Sequence, residues 1–415
     1  MRSVFLDHQS TTPVLPEVFE AMRPFFSEHF GSPASLHRFG VRVRDALAEA
    51  RSQVAAFIHA ESAEEILFTS GATESANLAV KGVALANQRR GRHLIVSATE
   101  HPAVLQSIDF LEKLGFTSTP IPVDGEGRID PESVRRALTD ETILVCVHHV
   151  NHDLGTIEPI REISAITADR GVPLFVDAAA SGGWMPIDVQ ELGADLLSLS
   201  PHRFYGPKGV GILFRQKRVR LSNVIHGGVQ EGGLRAGTEN VPAIVGAGVA
   251  AAISSRELAQ RQQLTGTLQR RLWTGLKDRI DFVHLNGPEP GPHRLSTNLN
   301  VSFEFLESEG IALSLDVAGV AVASGASCVS KAMRIPPVLA AIGLPQSLAQ
   351  GNVIFSLGRD NTPEEIDSVI ETVAKVVQKL RAMSPLWDDF EKGLIDSVIA
   401  PRTRERGHDA TGRRG

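Results

Sequence analysis

Four short segments of the chain carry side chains able to do chemistry. Ser70-Gly71-Ala72-Thr73 stands between the apolar run EEILFT and a long helical pattern. Free N–H groups and the dipole at a helix start suit a phosphate, and the Thr73 hydroxyl adds a donor. An ordinary helix cap fits the same residues. Asp177 ends the run PLFVD; there a carboxylate either faces a cleft or caps the next helix. GGVQEGGLRAGTEN, residues 227–240, sets Arg235 and Thr238 among glycines. Such a loop closes over a ligand phosphate or serves as a structural turn. Of two cysteines, Cys146 lies in the apolar TILVCVHHV and reads as a core thiol. Cys328 lies in ASGASCVSK, small and polar, where a thiolate can react. Two cysteines are too few for a disulfide framework or an all-cysteine zinc site.

The elements that must position these groups follow from the hydropathy pattern. Between about 64 and 217, apolar runs (EEILFT, RHLIVSA, ILVCVHHV, PLFVDAAA, ADLLSLS, GVGILF) alternate with helical segments. Those segments include SGATESANLAVKGVALAN, a helix from His101 to about Leu114, and PIREISAITADRG. Apolar strands separated by helices predict a mostly parallel sheet covered on both faces, with ligands at the carboxyl ends of its strands. After about 255 the texture changes. A helix rich in Gln, Arg and Leu leads into a smaller α+β region with strands STNLNVSF and NVIFSLG and the helix TPEEIDSVIETVAKVVQKLRAM. The expected division is a large domain over 15–255, a small domain over 1–14 and 256–385 carrying Cys328, and a tail over 386–415, whose Arg- and Gly-rich end from about 400 predicts disorder.

Bulk composition narrows the classes. A length of 415 residues suits one large domain plus a smaller one. Apolar residues at 42% and charged residues at 22% are an ordinary globular balance, and a net charge of -6 provides no basic field for nucleic acid. The start MRSVFLDHQSTT has no signal-peptide core, and no apolar run approaches a membrane span. The expectation is a cytoplasmic protein that binds neither nucleic acid nor membrane.

In order along the chain, FLDHQSTTPVLPEV, FTSGATESANLAVKG, TEHPAVL, VNHDLGTIEPI, FVDAAASGGWMPIDV, SPHRFYGPKGVGILF, GGVQEGGLRAGTENVPAIVG, VASGASCVS and FSLGRDNTPEEID resemble the NifS/IscS cysteine desulfurases. These are fold-type I pyridoxal phosphate (PLP) enzymes related to class V aminotransferases, and the resemblance covers residues 4 to about 380. It implies an α/β fold of the fold-type I PLP-dependent transferase kind: a mostly parallel central sheet with helices on both faces and a smaller α+β C-terminal domain. It further implies a homodimer active in sulfur transfer, for iron–sulfur or thio-cofactor assembly, handing sulfur to an acceptor or scaffold protein. By the same resemblance Ala72 and Thr73 belong to the phosphate-binding turn and His101 stacks on the pyridine ring. Asp177 partners the ring nitrogen, Ser200 and His202 flank the phosphate, and Thr238 is lent to the partner subunit's phosphate. Cys328 takes sulfur as a persulfide.

Four positions depart from the family pattern. Arg203 stands where the Schiff-base lysine is expected, Ala180 at a glutamine and His152 at an asparagine near the PLP phenolic oxygen, and Ile354 at the arginine that clamps the substrate carboxylate. Arginine stays protonated, with a pKa above about 12, and cannot supply a neutral amine. Isoleucine cannot imitate a bidentate carboxylate clamp. Lys208 matches a separate family lysine and is not counted as a replacement. The four departures are expected to fall in one pocket and to leave PLP bound non-covalently or not at all. Three readings follow: a catalytically lapsed relative, in which Cys328 serves sulfur transfer or the chain pairs with an intact desulfurase; a PLP-dependent desulfurase or lyase of unusual mechanism; or a metal-binding protein using His101, His152, Asp177 and His202. No metal is expected on the first two.

Overall fold

The computed structural model describes residues 3–324 and 335–399. Cys328 and the tail from 400 lie outside the described residues. Seven strands form the main sheet: β1 (Ile66–Thr69), β2 (His93–Ser97), β3 (Thr117–Ile121), β4 (Thr142–His148), β5 (Leu174–Asp177), β6 (Leu196–Leu199) and β7 (Gly211–Arg215). Their spatial order is β1-β7-β6-β5-β4-β2-β3. Pairs β3–β2, β2–β4, β4–β5 and β5–β6 are parallel, and β7 runs antiparallel to both its neighbours. Every residue of β1, β2, β4, β5 and β6 is buried, as expected for strands covered on both faces. Cys146 is fully buried in β4 and its thiol is pushed well up by burial and by nearby Glu100. This is the core thiol expected from its apolar run.

Helices α1 (Arg38–Phe57), α2 (Ala72–Asn87), α3 (Pro102–Glu112), α4 (Ile160–Asp169) and α5 (Val241–Arg279) pack around this sheet. The last is one uninterrupted helix of 39 residues that runs through position 255, where the sequence texture changes. Its small residues explain its close packing. A Cβ on Gly248 would lie 2.7 Å from the Cα of Ala50 in α1, and one on Gly246 would lie 2.6 Å from the Met22 sulfur. By length and hydropathy α5 could cross a membrane, but Val241, Ile244, Ala247, Ala250 and Ala251 are buried in the main core.

A second sheet of four strands, β8 (Val283–Leu285), β9 (Asn298–Phe303), β10 (Ala323–Ser324) and β11 (Asn352–Ser356), has the order β10-β11-β9-β8 and is antiparallel throughout. Helix α6 (Pro363–Arg381) covers it. A capping box of Thr362 and Glu365, proline at the first turn, acidic residues at the start and Lys379 and Arg381 at the end favour the helix independently of packing.

Candidate functional site

The carboxyl ends of β1, β2, β4, β5 and β6 converge on a cavity of about 410 Å³, lined among others by Ala72, Thr73, His101, His152, Asp177, Ala180, Ser200, His202 and Arg203. Each arrives on a short segment that leaves the sheet at this edge. Gly71 precedes α2 in extended backbone with no side-chain cap. The first N–H groups of the helix are therefore available to an anion. A Cβ on Gly71 would meet nothing within 4 Å. Opposite, a Cβ on Gly211 would lie 2.3 Å from the Gly71 carbonyl carbon, so only glycine lets β7 pass this closely.

Asp177 ends β5. Its Oδ1 accepts from the Ser198 hydroxyl at 2.8 Å and from the Ala179 N–H at 3.0 Å. Both contacts fix the carboxylate and fall on the same oxygen. His101 precedes α3, and its Nδ1 accepts from the Ala103 N–H at 3.1 Å. That bond leaves Nε2 to carry the proton of the neutral ring. Burial, then the neighbouring His152 and Arg203, push His101 down to about 4 against the opposite pull of Asp177. The His101 and His152 rings meet edge to face, centroids 5.3 Å apart. His202 is likewise pushed down to about 4, by burial first and then by Arg203 and Lys208. Its Nδ1 lies 3.2 Å from the Thr11 hydroxyl. At neutral pH the cavity therefore presents uncharged His101 and His202 imidazoles beside the Arg203 guanidinium.

The turn bearing Ser200, His202 and Arg203 is held from both sides. The Trp184 indole donates to the Arg203 carbonyl at 2.9 Å, and Thr12 donates through its N–H and hydroxyl to the His202 carbonyl at 2.8 and 2.9 Å.

Two expectations are modified, one on Ile354 and one on the metal alternative. Ile354 does not line the cavity. It is buried in β11 opposite Asn300 and Ala323. Cross-strand partners share a face, and Asn300 on that face donates to the Asp153 carbonyl at 3.0 Å. Ile354 thus sits on the small-sheet face that meets the loop behind His152. Thr238, which the resemblance assigns to the partner subunit's phosphate, is exposed and lies outside the cavity of its own chain. The metal alternative finds no geometry: among the described residues no group of three or more His, Cys, Asp or Glu is arranged to hold a metal ion. Protein partners already occupy Nδ1 of His101, Nδ1 of His202 and Oδ1 of Asp177. The cavity also takes in Ser10, Thr11, His148 and Lys208. Nothing in the sequence pattern places His148 or Lys208 on this wall, since His148 ends an apolar strand run and Lys208 matches a separate family lysine.

Residues 4–369 match the family Aminotransferase class-V. The chain belongs to that family. Its members include cysteine desulfurases named IscS. The one from Dictyoglomus turgidum is 45% identical over 390 residues, covering 94% of this chain and 98% of its own. The one from Methanosarcina thermophila is 44% identical over 385 residues, covering 93% and 94%. A solved NifS-like protein superposes with a TM-score of 0.85 at 34% identity, covering 91% of this chain and all of its own. The α/β fold of this PLP-dependent class V family is thereby established for the chain.

Proposed function

We propose that the chain is a sulfur-transfer protein of the cysteine desulfurase type that holds PLP without a covalent bond and is impaired in desulfuration by the family's usual route. The observation that carries this reading is Arg203, a permanent cation on the cavity wall where the family expects its lysine.

The cavity fits the phosphate and ring of PLP. The uncapped start of α2, Thr73, Ser200 and His202 offer donors to a phosphate. His101 offers a ring face, and the unengaged oxygen of Asp177 can accept from a protonated ring nitrogen. When bound, PLP supplies an electron-withdrawing ring. This chain's residues hold and orient such a ring, but Arg203 can neither attach to it nor take up a substrate proton. Ala180 and His152 remove two amide side chains from the same wall. Among the described residues Lys208 is the one lysine lining the cavity, and it is the candidate for any residual amine chemistry.

Two further parts of the reading rest on other observations. Phe19, Phe26, Phe30, Leu36 and Phe39 are 45–87% exposed, an apolar surface suited to a homodimer or to pairing with an intact desulfurase. Thr238, exposed on its own chain, would complete the partner's phosphate site. Cys328 would carry sulfur to an acceptor protein in the cytoplasm.

The test is the absorbance spectrum with added PLP, with and without cysteine and borohydride. The expected result is a PLP spectrum lost on gel filtration in competing phosphate, no hydride-stable adduct and no sulfide. A stable adduct abolished by Lys208→Ala, together with sulfide release, would establish the alternative, an active enzyme of unusual mechanism. No binding of PLP at all would leave a fold retained for partner docking alone.

A further inference from the structure

Behind the cavity lies a buried set of charges that the proposed function does not use. His148, the last residue of β4, is 2% exposed; Glu100 and Glu158 are 3% and 4% exposed. The His148 Nδ1 is 3.2 Å from Glu100 Oε1, and Nε2 is 3.3 Å from Glu158 Oε1. Both ring nitrogens therefore face carboxylates. The second contact is ionic rather than a well-formed hydrogen bond: His148 Nε2 and Glu158 Oε1 have no hydrogen-bond partner, and neither does Glu100 Oε2. A buried polar atom left without a partner is destabilising. A cation at His148 offsets this, and a neutral imidazole, with a single proton for two carboxylates, does not.

The positions of the three residues in the chain matter as much as their charge. Glu100 immediately precedes His101. Glu158 closes the segment from 149 that carries His152, and its other oxygen accepts from the Ile129 N–H at 2.9 Å. His148 pairs in register with Asp177 across β4 and β5 and itself lines the cavity. The other titratable groups near this imidazole are Cys146 and His149 on its own segment, Asp177 on β5, and His101 and His152 in the cavity. His149 is held neutral, pushed down to about 4 by burial and by His148, with its Nδ1 3.0 Å from the Ser181 hydroxyl. Among the described residues, Glu100 is placed at Nδ1 and Glu158 at Nε2 of His148.

We infer that Glu100, His148 and Glu158 form a buried ionic clasp, an imidazolium between two carboxylates, that positions His101 and His152 in the candidate site. These are positioning residues, since they act through the segments they tie together. The clasp rests on the site proposed above but not on what that site binds. Burial alone would drive the imidazole towards neutrality; the two glutamates overcome it and raise His148 to about 10. Because this lies above the ordinary value near 6.5, the stabilisation is complete below pH 6.5 and is lost as pH rises through about 10.

Histidine-selective 13C NMR of the full chain, assigned by single His→Gln variants and run without cofactor, tests this. In the wild type the His148 signal should stay at the imidazolium position to pH 9 or so. In Glu158→Gln, a near-isosteric change that keeps an acceptor for Ile129, it should titrate at least tenfold more easily in proton concentration. His101 and His152 signals should then shift at that same pH. Glu100→Gln should act alike, which guards against one variant failing to fold. A wild-type His148 signal that titrates below pH 7, or His101 and His152 signals indifferent to its titration in both variants, overturns the clasp. Because no cofactor is added, failure of PLP to bind would sink the proposed function and leave this result standing.

Discussion

At the scale of single residues, the proposed reading turns on the Arg203 guanidinium on the cavity wall. Placing a lysine there separates attachment from turnover. Arg203→Lys places a primary amine on a wall that already offers His101, Asp177, Ser200 and His202. Borohydride-stable PLP should rise from background to about one equivalent per chain. Sulfide release should stay near background, because Ala180 and His152 are unchanged on the same wall. Mass spectrometry of the reduced protein and a sulfide assay read the two separately; an unlabelled Arg203→Lys chain would show that the cavity no longer accepts the ring. Most of this site was legible from the sequence, since the SGAT turn, Asp177 and the Ser200–Arg203 segment each sit at a strand or helix junction. The reach of Lys208 and the glutamate partners of His148 were not. They depend on segments far apart in sequence, Glu100 and Glu158 meeting one imidazole from two different loops.

At the scale of elements, the glycine-rich loop is fixed to the sheet by charges. Arg51 of α1 makes two bonds to Glu231, at 2.7 and 2.8 Å, and also donates to the Ile66 carbonyl; Glu231 in turn accepts from the Phe68 N–H at 2.9 Å. The Glu231 side chain is 2% exposed. Removing Arg51 leaves a buried carboxylate without its counter-ion, a change that costs about 3–5 kcal/mol. Arg51→Ala should therefore lower the urea midpoint by an amount equivalent to about 3 kcal/mol at unchanged slope, and a loss under about 1 kcal/mol would mean the pair contributes little. On the same loop Arg235 reaches Glu74 at 2.9 Å, beside the start of α2, so an ion pair ties the loop to the anion-facing turn. The apolar strands were readable because both faces are buried and their residues are β-branched or large. Strand β3 was not. It is a half-exposed edge strand, TSTPI, with Pro120 inside it, and proline is tolerated only at such an edge. The continuity of α5 was hidden by its change from alanine-rich to Gln- and Arg-rich sequence. That change marks the passage of the helix from the main core to the core of the small sheet, where Leu268, Leu272, Trp273 and Leu276 are buried, and leaves the helix unbroken.

At the scale of the whole molecule, the exposed aromatic surface and the exposed Thr238 make one combined prediction. Phe26 and Phe30 are 66% and 69% exposed, and the Phe30 ring stacks on Phe39 with centroids 5.9 Å apart. Leaving several such rings in water forgoes about 25 cal/mol for each Å² of apolar surface that a partner would cover. A self-complementary contact between two copies satisfies this at both chains. The chain should sediment at twice its own mass at micromolar concentration, and the double variant Phe26→Asp, Phe30→Asp should sediment as a monomer with its far-UV circular dichroism unchanged. Because Thr238 lies outside its own chain's cavity, that monomer should also bind PLP at least tenfold more weakly. Wild-type protein that sediments as a monomer would remove the dimer. A monomeric variant with undiminished PLP affinity would keep the dimer but show that each cavity is complete within one chain, leaving Thr238 no part in it.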